Sequence, residues 1–465
     1  MKKLLLVEPP YYRLYKDTYS NTKYPLGLGY LAKTVQDATD WDVRCLNLDF
    51  NPAEEGYSIS HLAGAGYESY MRNLADPGAS IWGEAAQAVR AERPDVVGIS
   101  CKSQTFAPAL RVARAVKGLD ASIRVVMGGP HPTMDPDGVL RHPEVDAVVR
   151  GEGERTLTEL LGRYGKGLGE LGVEGVSHRV DGQTVHNPKR AFIEDLDSLG
   201  YPHLSAPSAL MDFERYPKHA FRHIFATRGC PQACFFCGSR QIWSRKVRFR
   251  SPANVVGEIA SLRSWGLDEL FFDDDTFGVT PAHLKNLCEA LIQHAPGIRW
   301  ACEIHAQLVT PGSVDLMKRA GCFAAFVGVE SGNDGILKLM GKNITTARAR
   351  QACSLLKSSG IKVHPFFMVG LPWDTEETMA DTFRLMREID ADLLIYSIFT
   401  PYPGSEAFDF LKEKGRMGDD FDVSLYNHQS PANNFCLNVA PGRFRQIAAE
   451  IEKYVDEHNS THSFG

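Results

Sequence analysis

Short apolar runs alternate with helical patterns along most of the chain, and this alternation limits the possible folds more than any other feature. Strands and helices in repeated succession are typical of a parallel sheet covered by helices. In residues 1–171 the pattern predicts a doubly wound, flavodoxin-like α/β domain, whose ligand lies beyond the carboxyl ends of the strands. The five predicted strands are Lys3–Val7, Val43–Leu48, Val96–Ser100, Arg124–Met127 and Ala147–Arg150. The predicted helices lie near Gly27–Asp37, Gly83–Ala91, Ala107–Lys117 and Pro132–Leu140.

A second series of strand-helix units predicts a partial (β/α)6 barrel over residues 219–407, with an active site built by the loops at the carboxyl ends of its strands. Residues 172–218 are weakly periodic and contain the turn Val180-Asp-Gly-Gln183, so we predict a linker with one hairpin. Residues 408–465 are predicted to be a C-terminal extension that closes with a helix at Arg443–His458. The predicted barrel strands are Arg222–Thr227, Glu269–Asp273, Ile298–Ile304, Ala324–Val329, Lys362–Val369 and Leu393–Phe399.

The charge and the first residues exclude several classes of protein. The 465 residues include 51 Lys and Arg against 57 Asp and Glu, and the net charge of −6 gives no general attraction to nucleic acid or anionic membranes. Only four consecutive apolar residues precede Glu8, which is too short a run for a signal peptide or a membrane span. We therefore expect a cytoplasmic protein with no membrane span and no nucleic-acid partner.

Three of the ten cysteines stand close together after the first predicted barrel strand. Cys230, Cys234 and Cys237 are spaced by four and three residues, so one short loop can place three thiolates around a single metal centre. Three ligands to a four-iron cluster leave one iron open to bind a substrate. Zinc is disfavoured because no fourth ligand follows Cys237 closely. A dithiol pair of Cys234 and Cys237 would leave Cys230 unexplained.

This three-cysteine loop, at the end of the first strand of a six-unit barrel, resembles the radical S-adenosyl-L-methionine (SAM) superfamily. The resemblance implies a 4Fe-4S cluster whose open iron chelates the amino and carboxylate groups of SAM, which one electron cleaves to a 5′-deoxyadenosyl radical. That electron implies an external one-electron reductant of the flavodoxin or ferredoxin type. Later segments also resemble the family, although each alone is compatible with a strand-ending turn. The residues implied to contact SAM are Phe236, Glu330, Ser331, Gly332, Gly370 and Pro372.

The loops of the first domain favour cobalamin over FMN. Pro9 and Pro10 follow the first strand, and because proline lacks the N–H group that binds phosphate, FMN is disfavoured. Glycines after the fourth and fifth strands let the backbone approach a flat, bulky ligand closely. These segments and Tyr24–Leu31 resemble the cobalamin-binding domain that precedes the barrel in one branch of radical SAM enzymes. The resemblance implies cobalamin contacts at Gly128, Gly129, Pro130, His131, Gly151 and Glu152.

The lower face of the cobalamin is not expected to carry a histidine ligand. No histidine occurs before His61, so the Asp-x-His-x-x-Gly sequence of many cobalamin proteins is missing after the first strand. By topology the loop after the third strand, with Ser103, Gln104 and Thr105, is the best candidate to approach this face. An ordinary loop with Ser103 or Thr105 as a helix cap is the alternative. For His131, between two prolines, we favour a role through the backbone.

Two strands supply candidate residues for the inner face of the barrel. Alternation along the third strand places Glu303 and His305 inside, where they could contact SAM or substrate, and turns Cys302 outward as a buried thiol. His364 on the fifth strand would add to the pocket wall. The irregular segment Asp419–Val439 could cover the pocket and set specificity.

Acidic and aromatic residues stand at the predicted rim. The run 273–275 ends the second strand, where Asp274 is either catalytic or engaged in helix capping and salt bridges to Arg248 or Arg250. Tyr402 follows the last strand and would complete the pocket wall. The predicted catalytic residues are Glu303, His305, Asp274 and Tyr402.

Together the two segments resemble cobalamin-dependent radical SAM enzymes, and most closely the methyltransferases among them. The resemblance implies that methylcobalamin receives its methyl group from one SAM, while the radical from a second SAM abstracts hydrogen from an unactivated carbon of a small-molecule substrate, which then takes the methyl group. A cobalamin-dependent cyclase or ring-rearranging oxidase remains open. A flavodoxin-like iron–sulfur electron-transfer protein is opposed by the proline loop after the first strand and by the missing fourth cysteine.

Overall fold

The computed structural model describes residues 1–52, 62, 65–418, 421–426, 428 and 433–461. The chain forms two compact units, Met1–Phe221 and Arg222–Gly465. Among the described residues no helix combines the length and the apolar composition that a membrane crossing requires.

The first unit contains a seven-stranded sheet with the order β2-β1-β3-β4-β5-β6-β7. Strands β1 to β5 are parallel and confirm the predicted doubly wound fold, and their bounds lie within one residue of the prediction. The strand order reverses between β1 and β3, which makes the carboxyl edge at these strands the switch point. The strands are β1 Lys3–Glu8, β2 Asp42–Asn47, β3 Val96–Ser100, β4 Arg124–Gly128, β5 Ala147–Val149, β6 Val176–Val180 and β7 Gln183–His186.

Helices cover this sheet, and they differ from the prediction in two ways. The sequence pattern did not indicate the helices Tyr12–Tyr15, Ala65–Ala75, Gly153–Gly165 and Ala206–Ala209. The predicted helix Pro132–Leu140 is instead two helices, because Pro136 starts a new helix that the Asp135 side chain caps. The helices are α1 Tyr12–Tyr15, α2 Leu26–Ala38, α3 Ala65–Ala75, α4 Ser80–Glu92, α5 Phe106–Leu119, α6 Pro130–Met134, α7 Pro136–Leu140, α8 Gly153–Gly165 and α9 Ala206–Ala209.

The segment 172–218, predicted as a linker, is instead part of the first unit. Its hairpin turns at Asp181 and Gly182, both with positive φ, and β6 pairs antiparallel with β5. Further on, the Met211 N–H donates to the Cys45 carbonyl oxygen at 2.9 Å, beside β2. The segment thus covers both outer strands of the parallel sheet, whose open backbone groups would otherwise remain unpaired.

The second unit contains a six-stranded parallel sheet with the order β15-β14-β13-β12-β11-β8, which confirms the predicted partial barrel. The predicted first strand is corrected, since it breaks into β8 and β9, and β9 leaves the sheet to pair antiparallel with β10. The strands are β8 His223–Ile224, β9 Thr227–Arg228, β10 Arg248–Phe249, β11 Glu269–Phe272, β12 Arg299–His305, β13 Cys322–Glu330, β14 Lys362–Val369 and β15 Ile395–Ile398.

Most helices of the second unit begin with a side-chain cap, which fixes where each loop at the carboxyl edge ends. The capping residues are Ser251, Thr280, Thr310, Asn333, Thr345, Thr375 and Ser405. The helices are α10 Ser239–Trp243, α11 Pro252–Ser264, α12 Pro281–His294, α13 Pro311–Arg319, α14 Asp334–Leu339, α15 Thr346–Ser358, α16 Glu376–Glu388, α17 Glu406–Glu413 and α18 Pro441–Ser460.

Candidate active site

The three clustered cysteines lie on one loop directly after β9, and all three thiols are free and half-buried. Gly229 opens the loop with φ +108, and a Cβ there would stand 2.6 Å from the carbonyl oxygen of Lys246, so only glycine fits. The Cys237 N–H donates to the Cys234 carbonyl oxygen at 3.1 Å. Among the described residues no three His, Cys, Asp or Glu side chains are already gathered around a metal position. The loop nevertheless offers the three sulfur donors of a cluster with one open iron.

Two adjacent phenylalanines of this loop have different environments. Phe235 is buried, with ring centroids 4.5 Å from Trp373 and 5.8 Å from Phe410. Its N–H donates to the Met340 carbonyl oxygen at 2.8 Å. Phe236, which was predicted to approach adenine, is half-exposed. Phe235 therefore anchors the loop, and Phe236 keeps an accessible ring beside the thiols.

A buried ion pair lies beside the cysteine loop. The Lys342 ammonium is 2.7 Å from the Glu330 carboxylate, with the side chains 7% and 11% exposed. The preceding residue, Gly341, packs on the loop, since a Cβ on it would stand 2.7 Å from the Ala233 carbonyl oxygen. Glu330 has φ +67, a left-handed conformation that costs a residue other than glycine on the order of 1–3 kcal/mol. Such strain persists where the surrounding structure fixes a functional group, here at the carboxyl end of β13.

The charge of Lys342 acts on the thiols. Burial raises the pKa of Cys234 to about 11, and the Lys342 ammonium opposes this. Burial also raises the pKa of Cys230 and of Cys237, again against the charge of Lys342. The thiols therefore stay protonated at neutral pH until a metal centre ionises them, and Lys342 lowers the free energy that this ionisation requires.

Ser331 and Gly332, predicted to contact SAM, pack against α16. The Ser331 hydroxyl is 3.2 Å from the Thr382 hydroxyl, which also accepts the Gly332 N–H at 3.0 Å. A Cβ on Gly332 would stand 2.3 Å from the carbonyl oxygen of Asp381. These contacts fix the turn that places Glu330, and a direct contact of Ser331 or Gly332 with SAM stays a prediction.

The loop after β14 contains Gly370 and Pro372, both predicted to lie near adenine. Gly370 has φ +86, and its N–H and that of Leu371 donate to the Asp374 carboxylate at 3.0 Å each. Burial raises the pKa of Asp374 to about 6. Trp373 in this loop packs on Phe235, so the two predicted SAM segments lie against each other.

The acidic run after β11 holds both ends of the cysteine loop. The Asp274 carboxylate accepts the N–H groups of Ala226 and Thr227 at 2.8 Å each, which accounts for the break between β8 and β9. Asp274 is 1% exposed, and burial raises its pKa to about 7. Asp275 accepts the Ser239 hydroxyl at 2.8 Å. The structure thus shows Asp274 holding the backbone between β8 and β9, and a catalytic role for it stays a prediction.

The predicted salt bridge of Asp274 to Arg250 is wrong. Arg250 pairs with Glu258 at 2.5 Å, and both side chains are almost fully buried. Its guanidinium also donates to the carbonyl oxygen of Phe225 at 2.6 Å. Arg250 thus stabilises the segment between β8 and β9 by holding its backbone, while the Asp274 carboxylate binds the amides of the same segment.

His305 is the last residue of β12, and one nitrogen of its ring has no hydrogen-bond partner among the described residues. Burial, together with the charge of Lys342, lowers the pKa of His305 to about 4, so the ring is neutral at pH 7. Nδ1 accepts the Gln307 N–H at 3.3 Å, which places the ring proton on Nε2. Nε2 is buried and has no hydrogen-bond partner among the described residues. A buried donor of this kind is suited to a bound cofactor or substrate. Glu303, two residues earlier, is half-buried.

Two further residues of the barrel strands are buried, one predicted to face outward and one predicted to face the pocket. Cys302 is fully buried, and burial holds its pKa well above the ordinary value, which confirms it as a buried thiol. His364 lies edge-on to Phe326, with ring centroids 4.6 Å apart. Burial lowers the pKa of His364 to about 4.

Tyr402 lies in the loop after β15, half-exposed, with its ring edge-on to His428 at 5.6 Å. The C-terminal extension binds the loops at this edge: the Ile398 N–H donates to the His428 carbonyl oxygen at 2.8 Å, and the Leu437 N–H to that of Pro372 at 3.0 Å. The extension therefore lies at the carboxyl ends of β14 and β15. Of the predicted covering segment, residues 419, 420, 427 and 429–432 lie outside the described residues.

In the first unit the loops after β3 and β4 are bonded together at the carboxyl edge. The Cys101 N–H donates to the Gly128 carbonyl oxygen at 2.8 Å, and the His131 N–H to that of Cys101 at 3.1 Å. Gly129 has φ +103, and a Cβ on it would stand 2.9 Å from the Cys101 carbonyl oxygen. Gly128, Gly129 and Pro130 are half-exposed, so the edge presents backbone rather than side chains.

The loop after β5 continues this edge. Gly151 has φ +74, and a Cβ on it would meet nothing within 4 Å, so it borders open space. The Glu152 carboxylate accepts the Ile193 N–H at 2.7 Å and is buried. A backbone edge with open space in front of it fits the flat ring of cobalamin.

Two of the three candidates in the loop after β3 bind the protein itself, but neither caps α5 through its side chain. The Ser103 hydroxyl is 3.2 Å from His131 Nδ1, and the Thr105 hydroxyl accepts the Lys102 N–H at 3.0 Å. Gln104 is half-exposed, and its contact with cobalamin stays a prediction. Burial lowers the pKa of His131 to about 4, and its ring is 2% exposed, so the residue meets this edge through its backbone.

Comparison with known proteins gives a family match for each of the two units. Residues 224–386 match the radical SAM superfamily, and residues 12–161 match the B12 binding domain. The chain belongs to the cobalamin-binding radical SAM family. Its cofactors are therefore a 4Fe-4S cluster, SAM and cobalamin, as the sequence predicted.

Relatives in this family carry more than one activity in their names. An uncharacterized methyltransferase of Pyrococcus horikoshii is 29% identical over 88% of this chain and 83% of its own length. The anaerobic magnesium-protoporphyrin IX monomethyl ester cyclase of Rubrivivax gelatinosus is 28% identical over 82% of this chain and 69% of its own length. The radical SAM methyltransferase TsrM of Kitasatospora setae, solved with cobalamin and a [4Fe-4S] cluster, shares the fold at 19% identity with a TM-score of 0.68, over 89% of this chain and 75% of that one.

Proposed function

We propose that this protein is a cobalamin-dependent radical SAM methyltransferase that methylates an unactivated carbon of a small-molecule substrate. The observation that carries the proposal is the presence in one chain of a three-cysteine loop and a glycine edge suited to cobalamin. SAM cleavage alone needs only the loop, whereas methyl transfer to an unactivated carbon also needs a methyl donor. When bound, the cluster and SAM supply a 5′-deoxyadenosyl radical, and cobalamin supplies the methyl group.

The residues of the barrel bind and orient the reactants. Cys230, Cys234 and Cys237 hold the cluster. Lys342 and Glu330 place a fixed positive and a fixed negative charge beside it, and their burial keeps them in position without solvent reorganisation. The His305 ring, neutral at pH 7, offers its Nε2–H as a hydrogen-bond donor. These groups match the charged amino and carboxylate ends of SAM.

The carboxyl edge of the first sheet binds cobalamin through the shape of its backbone. Gly128, Gly129 and Gly151 let the backbone approach the flat ring, and Gln104 adds an amide that can bond to its rim. In the barrel unit, the loops after β14 and β15 and the C-terminal extension attached to them contribute to the substrate pocket, with Tyr402 in its wall.

A cyclase is the second candidate, because a relative 28% identical over 82% of this chain carries that name. Products separate the two. The anaerobically reconstituted full chain is incubated with SAM carrying a deuterated methyl group, a reductant and a small-molecule extract, and analysed by mass spectrometry. We expect 5′-deoxyadenosine, S-adenosylhomocysteine and a product carrying the labelled methyl group. 5′-Deoxyadenosine with an unlabelled, dehydrogenated product would contradict methyl transfer and favour the cyclase.

The matched control is the variant Cys230→Ala/Cys234→Ala/Cys237→Ala. It should form neither 5′-deoxyadenosine nor a labelled product, because both require the cluster. Formation of 5′-deoxyadenosine by this variant would contradict the assignment of the loop.

A further inference from the structure

A basic stretch of sequence surrounds the cysteine loop. Residues 228–257 contain six basic residues and no acidic one, in a chain whose net charge is −6. Three of the six are buried, and Arg240 forms an ion pair with Glu406. The other two, Arg245 and Lys246, are exposed. They lie in the segment Ser244–Val247, which we name the basic turn.

The basic turn is in direct contact with the start of the cysteine loop. It connects α10 to β10, and β10 pairs with β9, placing Arg248 opposite Arg228. A Cβ on Gly229 would stand 2.6 Å from the Lys246 carbonyl oxygen and 3.5 Å from the Trp243 Cβ. Lys246 of the basic turn therefore packs on Gly229, the residue directly before Cys230.

The contact is held rigidly. The guanidinium groups of Arg228 and Arg248 each lie 5.8 Å from the centre of the Trp243 ring. Ser244 has φ +59, and its hydroxyl accepts the Lys246 N–H at 3.1 Å. These contacts give the backbone of the turn a defined conformation, and this backbone carries two exposed cations beside the loop.

We propose that the basic turn is the docking surface for an acidic flavin protein that carries one electron and reduces the cluster. This rests on the proposed function. In each event the carrier loses one electron and is oxidised, the cluster gains that electron and is reduced, and no bond or proton is exchanged. Electron tunnelling weakens steeply with distance, and a carrier on this turn would stand close to Cys230, one of the residues that would hold the cluster. Opposite charges steer such encounters and raise their rate.

The test is anaerobic stopped-flow reduction of the cluster-loaded full chain by reduced flavodoxin, an acidic flavin protein, followed by bleaching of the cluster absorbance. For Arg245→Glu/Lys246→Glu we expect a second-order rate constant lower by about tenfold or more at low ionic strength. Arg245→Gln/Lys246→Gln should lie between this variant and the wild type. The wild-type rate should fall as salt is added, and that of the charge-reversed variant should not.

Two controls separate docking from the cluster itself. Photoreduced 5-deazariboflavin, a small uncharged reductant, should reduce the wild type and both variants at equal rates. Lys453→Glu, which reverses an exposed charge on α18, should leave the flavodoxin rate unchanged. Equal flavodoxin rates in the wild type and Arg245→Glu/Lys246→Glu, or equal slowing by Lys453→Glu, would overturn the proposal. Failure of deazariboflavin to reduce even the wild-type chain would instead overturn the proposed function, and docking with it.

Discussion

The carboxyl edges of the two sheets present opposite kinds of surface. In the first unit, Gly128, Gly129 and Gly151 expose backbone, and the hydroxyls of Ser103 and Thr105 are bonded to the protein itself. In the second unit, buried charges such as the Lys342–Glu330 pair stand beside the cysteine loop. A large flat ring is bound by shape and needs bare backbone, whereas a small charged cofactor needs charges fixed in advance.

Substitution of Lys342 is the test of this comparison with the largest expected effect on stability. Lys342→Met removes one partner of a buried pair and leaves the Glu330 charge uncompensated, so we expect a loss of about 4 kcal/mol in the free energy of unfolding. Hydrogen exchange of peptides from residues 322–342, together with urea unfolding of the apo-protein, measures it. Lys342→Met/Glu330→Gln should recover most of this loss, and Lys338→Met, on the exposed side of α14, should change stability by less than about 0.5 kcal/mol. Equal effects of Lys342→Met and Lys338→Met would contradict the account.

The buried acid of the second unit gives a pH test. Burial raises the pKa of Asp274 to about 7, so the folded chain keeps a proton that the unfolded chain has released above about pH 4. This group therefore stabilises the fold most at low pH, and the contribution is lost as the pH rises from about 4 to 7.

Asp274→Asn keeps the oxygen that accepts the amides of Ala226 and Thr227 but cannot ionise. Relative to wild type, its free energy of unfolding should rise by on the order of 3 kcal/mol between pH 4 and 7. Urea unfolding at the two pH values measures this difference. Asp268→Asn, at an exposed acid just before β11, should show no such trend. A parallel pH dependence of wild type and Asp274→Asn would refute the role of the buried carboxyl.

At the carboxyl edge of the first sheet, the prediction concerns the exposed backbone at Gly129. Gly129 has φ +103 and ψ −171, a region nearly closed to other residues, so Gly129→Ala should cost about 2 kcal/mol and weaken cobalamin retention in equilibrium dialysis. Gly162→Ala, in the exposed middle of α8 where a Cβ meets nothing within 4 Å, should gain about 0.5–1 kcal/mol and retain cobalamin. Unchanged cobalamin retention in Gly129→Ala would remove this edge from the binding site.

The smallest expected effect concerns the hydrogen bond that holds the turn after β13. Thr382→Val removes the acceptor of the Gly332 N–H and should cost about 1 kcal/mol in urea unfolding. Thr158→Val in α8 is the matched control, because that hydroxyl donates only to a carbonyl oxygen one turn earlier, as Thr382 also does. If both variants lose the same amount, the Gly332 contact contributes nothing.

The fold was largely predictable because its signals are local. Apolar runs of strand length and amphipathic helical patterns depend only on neighbouring residues, and they located all five parallel strands of the first sheet to within one residue. The break of the first barrel strand was not predictable, because it arises from the carboxylate of Asp274, which lies 47 and 48 residues from the amides it binds. Likewise nothing in the hairpin Val176–His186 indicates that it would pair with β5.

In the candidate site, too, the local features were predictable and the long-range contacts were not. The three cysteines lie within one short loop, so their spacing alone predicted a metal centre. Lys342, Asp374 and Thr382 were missed because each acts on a residue or a loop brought near only by the fold. For Asp274 the sequence left catalysis and a structural role both open, since a carboxylate at the rim of a barrel has the same sequence signal whether it faces the pocket or binds backbone amides.

The most direct test of the central claim counts cofactors. The full chain, loaded anaerobically with iron, sulfide and cobalamin, is analysed for iron and cobalt beside Cys230→Ala/Cys234→Ala/Cys237→Ala. The account predicts a four-iron cluster and one cobalamin in the wild type, and undiminished cobalamin without iron in the variant. A variant that keeps its iron, or a wild type that binds no cobalamin, would contradict it.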